Sequence, residues 1–334
     1  MKQAGLPKSI FLSYFYKFAL NITKKSEMRH FMTLLVMSAL FFNMNAGNGT
    51  AGPGTVTRVS LSSSETGEAR NVDIWLPEDY DTTKKYAVIY MHDGQMLFDS
   101  TTTWNRQEWG ADEAVSLLMA GNRIKPSIIV GIWNNDKIRY PEYYPEKSLK
   151  FLRKRHQARL ARRQGLGQGL ADKYLRFITR DIKPYIDSHY STYTDAANTV
   201  TMGSSMGGLI SLYALCEYPD LFGGAGCLST HSPMKGVNLF TKRDNRLARA
   251  FRKYLSDKLP DPENHQIYLD YGTETLDKFY EPYQKKIDAI MESKGYSQGT
   301  NWKTIRYEGD DHSERSWSRR LDVPLIFLLR NLPV

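Results

Sequence analysis

Cysteine is scarce in this chain. Its 334 residues include two, Cys216 and Cys227. So few excludes a disulfide-stapled scaffold, and no Cys–His cluster with metal-ligand spacing occurs. Cys216 falls in a helix-like run and Cys227 in an apolar run, so the expectation is two buried thiols, with their pairing left open. Long apolar runs are also missing. None reaches about 18 uninterrupted residues, which argues against an ordinary membrane span in the body of the protein. There is no internal repeat. Positive charge is in excess, at +9, but it is not spread evenly. Lys147, Lys150, Arg153, Lys154, Arg155, Arg159, Arg162 and Arg163 form one basic run, and the N-terminal stretch adds several more. Without these two stretches the chain is near neutral, so the basic balance is local and does not indicate a nucleic-acid partner. The hydrophobic share, 41%, suffices for one large domain.

The N-terminal residues differ from the rest. From Met28 they read as an export signal: a basic start at Met28-Arg29-His30, an apolar stretch from Phe31 to Phe42, and a small-residue exit at Asn45-Ala46-Gly47. Met28 then becomes a candidate true start. The alternative is an uncleaved membrane anchor. Either way residues 1–52 are read as leader and linker, and 53–334 as a single catalytic domain with a basic insertion near 145–165. The expected location is periplasmic or extracellular.

Within the domain, strands alternate with helices. Tyr86 to Met91 and Ile128 to Trp133 are nearly continuous apolar runs, the pattern of strands buried on both faces of a parallel sheet. Ala111 to Ala120 reads as a helix with Leu117 and Leu118 inward. Asn134 to Tyr144 has no period and reads as a loop. Ala171 to His189 reads as one amphipathic helix with Tyr174, Phe177, Ile178, Ile182 and Ile186 as its stripe. Leu239 to Leu259 is a basic, partly helical excursion. Further strands are expected at Gly224 to Ser229, Gln266 to Asp270 and Trp302 to Tyr307, with a terminal helix from Pro324 to Leu332. The alternation predicts a doubly wound α/β sheet with its site at the carboxyl ends of the strands.

One stretch carries chemistry. Gly203-Ser204-Ser205-Met206-Gly207-Gly208 fits G-x-S-x-G between a β-rich run and an apolar helix. That context makes it a nucleophile elbow, with Ser205 thrust into the open and the flanking glycines avoiding collision in a tight turn. A serine hydroxyl needs a general base. Of seven histidines, only His312, just past the last strand, has the right place in the order serine, acid, histidine. The acid belongs after the penultimate strand, where Asp277 is preferred and Glu274 is the alternative. An oxyanion needs two backbone N–H donors. These are expected from Met206 and from Gln95 in His92-Asp93-Gly94-Gln95, where Gly94 permits close approach.

With these loops in register, residues 55 to 334 resemble the putative esterase family of α/β hydrolases, which includes enterochelin, feruloyl and acetylxylan esterases. The resemblance rests on Tyr90 to Asp99, on Gly203 to Gly208, and on Gly309-Asp310-Asp311-His312-Ser313-Glu314 with Trp317. It implies an eight-stranded, mostly parallel sheet with helices on both faces, a Ser-His-acid triad and no cofactor. It also implies a small-molecule or glycan ester as substrate. His92, Asp93, Trp104, Trp109, Tyr143, Tyr144, His231 and Trp317 are candidate walls of the pocket. The basic insertion is a candidate lid for an anionic ligand, with Leu149, Leu152 and Leu160 docked inward. An acylated carbohydrate and a siderophore trilactone are the two substrate expectations, with a catalytically silent glycan-binding protein as the third.

Overall fold

The computed structural model describes residues 53–232, 234 and 245–330. The leader, the start of the 239–259 excursion and the last four residues lie outside the described residues. Eight strands form one sheet in the order β1-β2-β4-β3-β5-β6-β7-β8. They are β1 (Thr55–Ser62), β2 (Ala69–Leu76), β3 (Ala87–His92), β4 (Ser127–Ile132), β5 (Thr199–Ser204), β6 (Gly224–Leu228), β7 (Gln266–Gly272) and β8 (Trp302–Tyr307). β2 runs antiparallel to β1 and β4; the remaining pairs are parallel.

Burial follows position in the sheet. Every residue of β3, β4, β5 and β6 is buried, whereas the edge strand β1 exposes five of its eight residues and buries none fully. Along β3 the pleat sends Val88 and Tyr90 to one core and Ala87, Ile89 and Met91 to the other. Helices cover both faces. One core contains side chains of Ala111–Ala120 and Asp322–Leu329; the other contains those of Leu170–Phe177, Met206–Glu217, Arg246–Lys258 and Glu281–Ser293. Eleven of the twelve residues of Met206–Glu217 are buried, so this helix is apolar all round rather than striped. The α/β-hydrolase fold is therefore present as expected.

Two local expectations need correction. Leu118 is inward, but Leu117 is 75% exposed. The 171–189 segment is not one regular helix. A wide turn at Ile178–Ile182 separates Leu170–Phe177 from Lys183–His189, which carries Pro184 in its first turn. Proline has no N–H and its ring crowds the preceding turn, which a widened turn accommodates. Asn134 to Tyr144, expected as a loop, is one apart from a short helical turn, Arg139–Glu142, and it is not solvent-exposed along its length. Charge pairs draw it inward. Glu142 takes two bonds from Arg70, at 2.6 and 3.0 Å, and Arg139 takes both oxygens of Asp93 at 2.7 Å. Hydrophobic periodicity cannot register such pairs. The basic insertion docks as expected: Leu149 is buried, and Leu152 and Leu160 pack against the core beneath Lys154–Gln164. Cys216 and Cys227 are free and buried.

Candidate active site

Ser205 sits between β5 and the helix that starts at Met206, with φ 56° and ψ −115°. A non-glycine residue held there is strained, and the surroundings must hold it. They do so through backbone bonds: Ser205 N donates to Leu228 O at 2.9 Å, and Ser205 O accepts from His231 N at 3.1 Å. Gly203 is required, because a Cβ there would lie 2.8 Å from the Gly207 carbonyl carbon. Gly207 is less constrained than the motif suggested. A Cβ on it would come no nearer than 3.4 Å, to Asp93 Oδ2.

That same contact places the loop after β3 beside the first turn of the Ser205 helix. Asp93 adopts φ 60° and opens a short turn, Gly94–Met96. Gly94 packs on the neighbouring strand so closely that a Cβ would lie 2.4 Å from Gly131. Asp93 is fixed by Arg139 and by Asn134 Nδ2 at 2.6 Å, while the Gln95 side chain accepts from Asn134 N at 3.1 Å. Burial works against the Asp93 charge, but Arg139 outweighs it and holds the carboxyl below its usual range. On the other side, Met206 is the first helical residue, so its N–H has no acceptor within the helix.

The base and acid come from the loops after β8 and β7. His312 Nδ1 lies 2.6 Å from Asp277 Oδ1, with Asp277 wholly buried and the His312 side chain 15% exposed. The other carboxylate oxygen accepts from Gly272 N at 2.7 Å and from the Ser229 hydroxyl. Glu274 is exposed, and its N–H goes to Asp310 O at 2.9 Å. Of the two candidate acids, then, Asp277 meets the histidine. Trp317 presents its ring to that of His312 edge-on, centroids 5.0 Å apart. Tyr280, fully buried, joins His231 Nδ1 at 2.8 Å and also engages the Ser205 side chain.

The expected pocket walls divide. His231 and Trp317 lie beside the Ser205 and His312 loops. His92 is buried, with its ring nitrogens on Tyr174 Oη (2.8 Å) and Thr201 Oγ1 (3.1 Å); burial pushes its pKa down to about 3, so it is neutral. Asp93 is spent on Arg139. Tyr143 and Tyr144 have no exposed surface, and Trp109 is 3% exposed, so these rings are core. Trp104 is 84% exposed and stands in solvent.

Two hollows lie elsewhere. A groove of about 790 Å³ includes Tyr86, Ile124 and Pro126, just ahead of β3 and β4, at the opposite end of the strands from Ser205. A cleft of about 350 Å³ lies between the basic insertion and Arg246–Lys258, lined by Arg153, Arg155, His156, Arg246, Arg249 and Lys253. Sequence reasoning missed two residues of the site, Ser229 and Arg320. Nothing in the local pattern marks either one. Among the described residues no His, Cys, Asp and Glu group could hold a metal ion, and no helix is long and apolar enough to cross a membrane.

Known proteins resemble this chain in sequence and in fold. A family model described as putative esterase matches residues 63–328. An uncharacterised protein of Bacillus subtilis (strain 168), YjcH, is 30% identical over 171 residues, 51% of this chain and 59% of that protein. An endo-1,4-beta-xylanase/feruloyl esterase of Xylanibacter ruminicola (strain ATCC 19189) is 25% identical over 278 residues, 80% of this chain but 30% of that protein. Among solved structures, a ferulic acid esterase superposes with TM-score 0.61 at 18% identity, covering 84% of this chain and 98% of its own. Ferric enterobactin esterase of Salmonella typhimurium superposes with TM-score 0.59 at 16% identity, covering 83% of this chain and 59% of its own.

Proposed function

Since the chain belongs to the putative esterase family, we propose that it is a serine carboxylic-ester hydrolase with Ser205 as nucleophile, His312 as base and Asp277 as acid. The observation that carries the reading is the 2.6 Å contact between His312 and the buried Asp277; Tyr280, whose ring packs edge-on to His312 at 5.9 Å, links that pair through His231 to the backbone of the strained Ser205. In the reaction the Ser205 hydroxyl proton passes to His312 Nε2 as Oγ bonds to the ester carbonyl carbon. The negative charge on the carbonyl oxygen faces the N–H groups of Met206 and Gln95. Collapse breaks the ester C–O bond, and His312 returns the proton to the departing alcohol. Water, deprotonated by His312, then releases the acid and restores Ser205. Asp277 holds the imidazole in one tautomer throughout.

The substrate is an acylated carbohydrate, a feruloyl or acetyl ester. Similarity to a feruloyl esterase over 80% of the chain supports this. The cationic cleft and 28% identity over 187 residues to the ferri-bacillibactin esterase BesA of Bacillus subtilis (strain 168) favour the second reading, an anionic siderophore trilactone. The enzyme is exported, which N-terminal sequencing of the mature protein checks by finding cleavage before residue 53. Ser205→Ala and His312→Ala each abolish turnover of p-nitrophenyl acetate without loss of fold. Full activity in either variant overturns the mechanism. Failure of a fluorophosphonate to label Ser205 favours a silent glycan-binding protein instead. Hydrolysis of feruloylated sugars and of a ferric catecholate trilactone, run side by side, separates the two substrates.

A further inference from the structure

Behind the Asp277 carboxylate lies Ser229, wholly buried at the end of β6, with φ 40°. Glycine would occupy that backbone conformation at lower cost. The hydroxyl is what glycine lacks, and it is fully used. Ser229 Oγ receives Trp317 Nε1–H at 2.9 Å and Arg320 Nη2–H at 2.9 Å, and it contacts Asp277 Oδ2. A hydroxyl has one proton and two acceptor sites. Indole and guanidinium can only donate, and a carboxylate only accepts. The Ser229 proton therefore points at Asp277 and has no alternative orientation.

Arg320 is itself immobile. Its Nε and Nη2 hold Asp270 at 3.1 and 2.8 Å, and its Nη1 holds Asp310 at 2.7 Å. Asp270 Oδ1 also accepts from Ser229 N at 2.8 Å, and Asp310 O accepts from the N–H groups of Thr273 and Glu274. One guanidinium thus ties the end of β6, the end of β7 with its acid loop, and the His312 loop. Burial opposes the Arg320 charge, but Asp270 outweighs it and keeps the group ionised.

We propose that Ser229 is a positioning residue for the ester hydrolysis. Its hydroxyl, polarised and locked by Arg320 and Trp317, fixes the Asp277 carboxylate from the edge opposite His312 and sets how strongly that carboxylate supports the His312 imidazolium. The inference rests on Ser205, His312 and Asp277 acting as proposed above. Removing a donor from Asp277 concentrates negative charge on the oxygen that faces His312. The imidazolium is then held more tightly, and a larger share of the enzyme stays protonated near neutrality.

The test is the pH dependence of kcat/KM for p-nitrophenyl acetate. Ser229→Ala is expected to lower kcat roughly 10- to 100-fold, the cost of a lost charge-assisted hydrogen bond, and to move the acidic limb of kcat/KM to higher pH. KM should change little. Trp317→Phe keeps an aromatic ring beside His312 while removing one donor to Ser229, so it serves if Ser229→Ala fails to fold. It should shift the limb in the same direction by less. A fall in melting temperature with an unmoved limb in both variants means a structural role only and overturns the inference. Ser205→Ala is run alongside. If it retains activity, the underlying mechanism is wrong. If it is dead while Ser229→Ala keeps wild-type kcat and limb, only the role of Ser229 is wrong.

Discussion

Asp270, Arg320 and Asp310 behind the acid, and Arg153, Arg155 and Lys253 at the cleft, are both charged clusters, but they are wired in opposite ways. In the first, Arg320 is 3% exposed and every N–H direction used has a carboxylate or the Ser229 oxygen at its end. Burial holds the Asp270 carboxyl above its usual range even with Arg320 beside it. Charges so desolvated are worth keeping only where geometry matters. In the second, the three cations are exposed and form no ion pair among the described residues. Desolvation, and after it the guanidiniums of Arg246, Arg155, Arg153 and Arg159, push the His156 pKa down. Exposed cations that pair with no carboxylate set a field, not a position. Under the function proposed above, the buried cluster holds the acid in place, and the exposed one can act on a substrate only through its charge.

The largest effect should come from breaking the buried side at its end. Asp277→Asn leaves the shape but removes the charge that orients His312, and the cost is roughly 10⁴-fold in kcat by analogy with triad acids generally. Glu274→Gln should stay within about twofold, because the side chain is exposed. Steady-state kinetics on the two variants decides, and the reverse ranking would sink the assignment of the acid.

This ranking also marks how far the sequence could be read. The elbow was legible because backbone geometry constrains it: Gly203 must lack a Cβ, and an apolar helix must follow Ser205. His312 was legible from chain order. Asp277 was only preferred over Glu274, because three residues of loop conformation decide which one reaches the histidine. Ser229 and Arg320 were illegible. Apart from Arg320–Asp310, ten positions apart, their bonds join residues 41 to 91 positions apart, and a single serine or arginine has no period to betray it. Tyr143 and Tyr144 misled for a related reason. They resemble ring-stacking surface groups, but the Arg70–Glu142 and Arg139–Asp93 pairs pull their segment into the core.

A middle-sized effect should appear as pH dependence of folding. His92 is buried and neutral, its pKa lowered from 6.5 to about 3. In the unfolded chain it titrates near 6.5. Between those values the unfolded state binds a proton that the folded state does not, so stability falls as pH drops through that window. Asp93 acts in the same direction at more acid pH, because Arg139 keeps it ionised when folded. The urea midpoint should be lower at pH 4.5 than at pH 7.5, and the gap should narrow in His92→Gln. An unchanged gap would mean that His92 is not the group responsible.

The smallest effect should come from the exposed cluster, and it sharpens the contrast most. Reversing Arg153 and Lys253 to glutamate touches no bond in the triad, so turnover of neutral p-nitrophenyl acetate should hold within about twofold. For an anionic ester the same change removes attraction and adds repulsion, raising KM by roughly tenfold or less at low salt. Exposed charges are screened within about 8–10 Å at 0.1–0.15 M salt, so the difference should fade as ionic strength rises. The measurement is kcat/KM for a neutral and an anionic ester of the same alcohol across a salt series. If both esters respond equally, the cleft does not select among substrates by charge. A response confined to the anionic ester and abolished by salt would assign the cleft a part in choosing which esters are turned over.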